Sequence, residues 1–166
     1  MHTTTVLTPA GPFTIVAEAD THTVLASGWT DDPAVLVALI TPALRPATLE
    51  RVAELGPITV AVAAYVAGDL GAIDAIAVRQ RSGPFLTEAW DVLRRVPAGA
   101  PVTYAELAAK AGRPDAVRAA ASACARNAAA LFVPCHRVVR TGGGLGGFRW
   151  GLEVKTWLLD HEAPAA

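Results

Sequence analysis

The amino-acid sequence predicts an α+β fold: a small N-terminal sheet-plus-helix domain over residues 1–82, then a mostly helical C-terminal domain over 83–166 with a helix-turn-helix. Three observations predict it. Short runs rich in β-branched and aromatic residues are confined to the first half. Apolar residues at helical spacing, with start and stop signals, dominate the second. Between them lies Arg79-Gln80-Arg81-Ser82-Gly83-Pro84, polar and carrying both main chain breakers, which marks the boundary.

Phe13–Ala17 and Val24–Trp29 are the strand segments. Gly11-Pro12 precedes the first and polar residues separate the two, which predicts a hairpin. Asp32-Pro33 ahead of Ala34–Ile40 predicts a helix start. Ile58–Val66 is apolar and followed by Gly68, the pattern of a buried helix with a glycine stop. Gly71–Val78 predicts a further strand. Beyond the boundary, Pro84–Val96 is a helix in which Phe85, Ala89, Val92, Leu93 and Val96 share a face, and Pro97-Ala98-Gly99 ends it. Thr103-Tyr104-Ala105-Glu106 is a capping box, in which the hydroxyl and the carboxylate satisfy opposite orphan amides. Its helix runs to about Ala111 and stops at Gly112. Pro114 suits the first turn of the next helix, which runs to about Arg126. Two short helices joined by a glycine-containing turn make the helix-turn-helix candidate. Ala119, Ala120, Ala121 and Ala123 keep its second helix slim, fit for close approach to a groove or for packing on a neighbouring helix.

With 52% hydrophobic and 17% charged residues in 166, the chain is not disordered as a whole. Two cysteines, Cys124 and Cys135, make no disulfide framework. With no CxxC pair and scattered histidines they make no structural zinc site either, so no metal and no cofactor is expected. Residues 1–20 lack a basic start followed by an apolar run, so no secretory leader is expected. Apolar runs such as Val60–Val66 fall far short of the about 20 residues of a membrane span. A cytoplasmic monomer is the expectation. Taken alone, a net charge of −1 disfavours nucleic acid as a partner. That charge is split, however: residues 1–82 carry four basic against eight acidic side chains, and residues 83–166 carry ten against seven. The second half alone has the sign that meets an anionic partner.

The segment Phe132-Val133-Pro134-Cys135-His136-Arg137-Val138-Val139 carries the chemistry. A cysteine with its ordinary pKa of about 8.5 is mostly protonated at neutral pH, so a nucleophilic one needs a base, a cation or a helix N-terminus beside it. His136 could be that base. A buried structural cysteine beside a core histidine fits the bare pair as well.

Pro134-Cys135-His136-Arg137-Val138 resembles the active-site motif of the O6-alkylguanine-DNA alkyltransferases, the methylated-DNA–protein-cysteine methyltransferases. The flanks carry the resemblance further. Gly142–Gly151 is similar to the family's glycine-rich segment, and Lys155–Glu162 to its closing helix. Phe85, Trp90, Pro97-Ala98-Gly99 and Thr103-Tyr104 resemble its helical lead-in, and Gly11–Thr14 and Tyr65–Leu70 its N-terminal domain. The resemblance implies direct-reversal repair: one irreversible transfer of an alkyl group from O6-alkylguanine, and from O4-alkylthymine, in double-stranded DNA to Cys135. It implies His136 as the water-bridged base, Glu162 as the carboxylate orienting it, and Asn127 as the brace of the turn between recognition helix and active site. Tyr104 rotates the target nucleotide's phosphate, and Arg118 fills the gap left by the flipped base. As charge develops on the departing guanine, Tyr104 or Lys155 meets it, Tyr104 ranking first. The resemblance also implies a substrate pocket at Pro134, Val138, Phe148, Arg149 and Trp150; by their charge Arg113 and Arg126 are candidates for phosphate contact or are plain solubility charges, and with Ala119 of the slim helix they are expected to join Arg118 and Tyr104 on the DNA. Phe148 stands where many members have tyrosine, which removes one hydroxyl from the pocket. Cys124, among helical alanines, is expected to be inert.

Three alternatives stay open on the sequence: a non-enzymatic sensor of alkylated DNA, a helix-turn-helix regulator with a structural Cys-His core, and, weakest, a cysteine hydrolase.

Overall fold

A computed structural model describes residues 1–165, which divide into two units. The first comprises Met1–Gln80 together with Ala128–Phe132, and the second Arg81–Asn127 together with the described residues from Val133 onward. Residues 128–132, expected in the C-terminal domain, thus belong with the N-terminal unit.

In the first unit β1 (His2–Thr8), β2 (Gly11–Ala17), β3 (Val24–Gly28) and β4 (Glu50–Arg51) form one sheet in the order β3-β2-β1-β4. The β2–β3 pair is the expected antiparallel hairpin. β1 was not expected, because His2-Thr3-Thr4-Thr5 has no apolar alternation. Threonine is β-branched and suits a strand, and here its hydroxyls find acceptors. Buried Thr3 donates to the Ile15 carbonyl at 2.8 Å, and Thr4 to that of Ala53 at 3.2 Å. The α-helix α1 (Pro33–Leu39), capped by Asp32 through a 2.9 Å bond from the Ala34 amide, lays buried Leu36 towards β2 and β3. The helix α2 (Pro57–Val66) ends before Gly68 at φ +112°, as the glycine stop requires.

Gly71–Val78 is not a strand. Residues 70–75 form successive turns, and only Val78 bridges, to Val24. The outer side of β3 is instead met by the 128–132 segment. The Ser27 amide donates to the Ala128 carbonyl at 2.8 Å, the Ala130 amide to the Ser27 carbonyl at 3.1 Å, and the Ser27 hydroxyl to the Ala130 carbonyl at 2.7 Å.

The second unit packs α3 (Pro84–Arg94), α4 (Tyr104–Lys110) and α5 (Val117–Arg126) on one another, and α6 (Leu152–Glu162) closes it. A short parallel pair joins β5 (Val102–Thr103) to β6 (Val138–Val139). At the start of α4 the Glu106 amide donates to the Thr103 hydroxyl at 3.1 Å. The reciprocal half of the box differs from expectation, since the Glu106 carboxylate accepts from that same hydroxyl at 3.2 Å. Pro114 also lies outside its expected place, in the turn before α5. The turn folds back at Gly112, φ +87°, and α5 begins three residues after the proline.

Candidate active site

α5 is a helix with two working faces. Ala120 and Ala123 are fully buried, and the Ala123 carbonyl accepts from the Trp90 indole of α3 at 2.9 Å. Val117, Arg118, Ala121, Cys124 and Ala125 point the other way, at the i, i+4, i+7 spacing of a single helical side. They line a cavity of about 590 Å³, within the size range of small-molecule sites. Its other walls are Tyr104, Asn127, Cys135, Arg140 and the run Gly146–Trp150.

Cys135 opens a single 3-10 turn, Cys135–Arg137, behind Pro134, and is buried. The Asn127 amide donates both to its Sγ, at 3.3 Å, and to the Val133 carbonyl, at 2.7 Å. One buried side chain thus ties the end of α5 to the cysteine turn. Burial raises the Cys135 thiol above its ordinary value, against the Asn127 hydrogen bond and the Lys155 and Arg149 charges, which lower it. At rest the group is a thiol, and its proton must leave before it can attack.

Behind the cysteine lies a buried ionic cluster. Glu162 accepts from His136 Nε2 at 2.8 Å and from the Arg137 Nε and Nη2 atoms, each at 2.9 Å, while Arg137 Nη1 donates to the Val96 carbonyl at 2.7 Å. All three side chains are almost fully buried. Burial alone would raise the Glu162 pKa, but the hydrogen bonds and charges of His136 and Arg137 prevail and hold it at about 2. An ionised carboxylate only accepts, so Nε2 of His136 carries the hydrogen and Nδ1 keeps the lone pair. Nδ1 is buried and has no partner among the described residues. Burial lowers the His136 pKa despite Glu162, so the ring is neutral and able to accept a proton.

Lys155 is fully buried in α6, and its ammonium donates to the carbonyls of Val138, Leu145 and Gly147, at 2.7, 2.5 and 3.2 Å. Its three protons are therefore committed to backbone. Lys155 does not line the cavity, which corrects the expectation that it could serve the departing base. Pro134 and Val138 are also absent from the cavity wall: Pro134 caps the cysteine turn, and Val138 is buried in the β5–β6 pair. Phe148, Arg149 and Trp150 do line it. So do Tyr104 and Arg118, whereas exposed Arg113 and Arg126 and half-buried Ala119 lie outside it. Arg113 faces Asp115 at 3.9 Å.

The sequence reading gave Arg137, Arg140 and Cys124 no place in the site. Cys124 forms part of the cavity wall, and burial raises its thiol strongly, which keeps it protonated. Helical spacing from Arg118 and Ala121 was the available signal for Cys124.

The glycine-rich segment is held at both ends. Lys155 grips Leu145 and Gly147, and Arg149 donates to the Ala125 carbonyl of α5 at 2.5 Å. Gly146 has φ +73°, and a Cβ there would stand 2.6 Å from the Tyr104 hydroxyl oxygen and 3.0 Å from its ring. Gly146→Ala is therefore expected to displace the Tyr104 ring, cost about 1–2 kcal/mol of stability, and lower the rate of Cys135 alkylation at least tenfold. A rate within twofold of wild type would show that the ring needs no such clearance.

No helix is long and apolar enough to cross a membrane among the described residues. No group of three or more His, Cys, Asp or Glu able to hold a metal occurs among them either.

Residues 84–164 match the family described as 6-O-methylguanine DNA methyltransferase, DNA binding domain. The methylated-DNA–protein-cysteine methyltransferase of Salmonella typhimurium is 35% identical over 159 residues, covering 95% of this chain and 92% of that one. The bifunctional transcriptional activator/DNA repair enzyme Ada of Escherichia coli is 51% identical over 83 residues, which are 50% of this chain and 23% of Ada. Among solved structures, Mycobacterium tuberculosis OGT in complex with DNA superposes with a TM-score of 0.80 at 26% identity, covering 99% of this chain and 96% of that one. A buried cysteine on the cavity wall, next in the chain to the His136–Glu162 pair, on a chain 35% identical over nearly its full length to the first of these enzymes, places the protein in the methylated-DNA–protein-cysteine methyltransferase family, whose members reverse DNA alkylation by moving the alkyl group onto a cysteine of their own.

Proposed function

We propose that Cys135 is the alkyl acceptor for O6-alkylguanine, and for O4-alkylthymine, in double-stranded DNA, and that each molecule acts once. One observation carries the assignment: Cys135 lines the 590 Å³ cavity, the Asn127 amide donates to its sulfur, and the next residue in the chain, His136, is paired with Glu162.

The lesion sits inside the base stack, so the nucleotide is extruded into the cavity, at a cost of a few kcal/mol. Arg118, exposed on α5 at the cavity wall, fills the space it leaves. The Cys135 proton passes through a water to Nδ1 of His136, whose other nitrogen is anchored by Glu162. The sulfur attacks the alkyl carbon in line, so an S–C bond forms as the C–O6 bond breaks, and the electron pair stays on guanine. Tyr104 meets that charge with its hydroxyl. Burial, with the two cysteines, raises its pKa against Arg140 and the Gly147 backbone, so it holds its proton at neutral pH. Lys155 acts from behind, fixing the loop and lending its charge to the thiolate. The thioether has no resolving thiol, since Cys124 stays protonated, and the protein is spent.

Duplex DNA is the partner and is met by the +3 half of the chain. Arg126 and Arg113 supply exposed charge for phosphate contact, and Ala119 on α5 keeps that helix slim. A monomer in the cytoplasm, nucleoid-associated when on DNA, completes the reading.

Mass spectrometry after incubation with a duplex containing one O6-methylguanine tests it. The expected result is one methyl group per molecule, on the peptide holding Cys135. An unmodified protein that still binds the lesion tightly would instead establish a sensor, and affinity for one undamaged operator sequence would establish a regulator.

A further inference from the structure

Three arginines line the cavity without an ion-pair partner among the described residues, Arg118 on α5, Arg140 just after β6 and Arg149 in the glycine-rich segment, and Arg149 already donates to the Ala125 carbonyl. The proposed function gives Arg118 a role and leaves Arg140 without one. Its backbone is fixed by its own turn, where the Arg140 amide donates to the Gly144 carbonyl at 2.7 Å and the Gly143 amide donates to the Arg140 carbonyl at 3.2 Å. Its aliphatic stem lies against Gly144, where even an added Cβ would stand 3.5–4.0 Å from the stem carbons. The residue is exposed, so its charge is in water and costs nothing in desolvation until an anion arrives.

The cavity selects the kind of anion. Its walls are mostly apolar or small, with Val117, Ala121, Ala125, Phe148 and Trp150 among them, which suits the flat face of a base. A base in the cavity brings its sugar and two phosphodiesters to the mouth, because they are covalently joined to it. An arginine is the side chain suited to such a group, since its planar fork meets two phosphate oxygens at once.

We propose that Arg140 binds a phosphodiester adjoining the extruded nucleotide, so that the turn after β6 grips the backbone of the strand whose base is in the cavity. The proposal rests on reading the cavity as a nucleobase pocket. It adds a DNA contact outside the helix-turn-helix, on the loop that also carries the pocket wall.

The test compares Arg140→Gln and Arg140→Lys. Both are made in a Cys135→Ser background for equilibrium binding to an O6-methylguanine duplex across a salt series, and in the wild-type background for alkylation kinetics. Each phosphate neutralised contributes about 0.9 to the slope of log affinity against log salt. Arg140→Gln is expected to reduce the slope by about 1 and to weaken binding roughly three- to tenfold at moderate salt, while Arg140→Lys keeps the slope. In kinetics, Arg140→Gln is expected to slow reaction with the duplex about tenfold more than reaction with free O6-benzylguanine, which has no phosphate. An unchanged slope overturns the proposal. Equal losses with duplex and free base overturn it too, and would place Arg140 in the pocket chemistry beside Tyr104. Failure of the parent protein to alkylate Cys135 with either substrate would defeat the proposed function, yet the salt slope would still judge the phosphate contact.

Discussion

Glu162→Gln is expected to destabilise the protein by about 3–5 kcal/mol, a fall in Tm on the order of 10 °C for a chain of this size, and to slow Cys135 alkylation at least tenfold in the fraction that remains folded. The substitution keeps the shape and removes the charge. A carboxylate accepts from His136 and twice from Arg137. An amide has a single acceptor oxygen, and its NH₂ would face an N–H of one partner or the other. Arg137 would then be a buried cation without an anion, the costly half of a broken pair. His136 would lose the acceptor that fixes its tautomer. Arg137→Met separates the two effects. It removes two of the bonds to the carboxylate and the one to Val96 but leaves the His136–Glu162 contact, so it is expected to cost similar stability and less rate. Thermal unfolding together with single-turnover kinetics on both variants checks this, and equal rate losses would mean that His136 is not being positioned by the carboxylate.

The same cluster sets an acid limit. Glu162 is held at about 2 against an ordinary value of 4.5. A depressed carboxylate contributes stability above its unfolded value and loses it as the pH falls through the folded one. The contribution, roughly 3 kcal/mol, is thus fully present above about pH 5 and disappears between there and about pH 2. His136 acts in the same direction. Its folded pKa is lowered from 6.5 by burial, so the unfolded chain takes up a proton first and stability begins to fall below about that pH. Stability measured against pH in the Glu162→Gln variant should lack the lower phase and keep the upper one.

How much of this was legible in the sequence depended on the range of the interaction. The capping signal at Thr103 and the glycine stop after α2 are encoded within four or five residues, and the elements begin and end where those signals stand. The hairpin of β2 and β3 was legible for the same reason, while β1 was hidden because buried threonines look polar until their acceptors at Ile15 and Ala53 are known. Gly71–Val78 has the composition of a strand, but the edge it would have extended is met by Ala128–Phe132, a segment some fifty residues later that composition alone does not bring to β3. At the site, the Cys135–His136 pair is local and was evident, and the resemblance supplied Glu162. Arg137 stood in the motif without a role, since its partner is 25 residues away. Lys155 was misplaced for a related reason. A lysine four residues into a helix reads as a solvated charge or a catalytic group, and nothing in its neighbours says that three carbonyls from another segment surround it.

Those three carbonyls make Lys155→Met the second large expectation: a loss of about 2–5 kcal/mol of stability and of at least tenfold in alkylation rate with both duplex and free-base substrates. Methionine fills nearly the same volume without a donor. The carbonyl of Val138 is then left buried and unbonded, and those of Leu145 and Gly147 lose the clip that holds the glycine-rich segment against β6. An unsatisfied buried acceptor costs about 1–3 kcal/mol, and partly exposed ones recover some of theirs from water. The effect on rate has two sources. Gly146 and Gly147 lie under Tyr104 and on the cavity wall, so their release loosens the pocket. Lys155 also lowers the Cys135 pKa, so removing its charge leaves burial less opposed and the thiolate harder to form. The second source has a signature that loosening alone would not produce. The pH dependence of alkylation should shift to higher pH in Lys155→Met, because the thiol that must be deprotonated has moved upward. A slower reaction with an unshifted profile would assign Lys155 to the loop alone, and an unchanged rate and Tm would remove it from the site altogether.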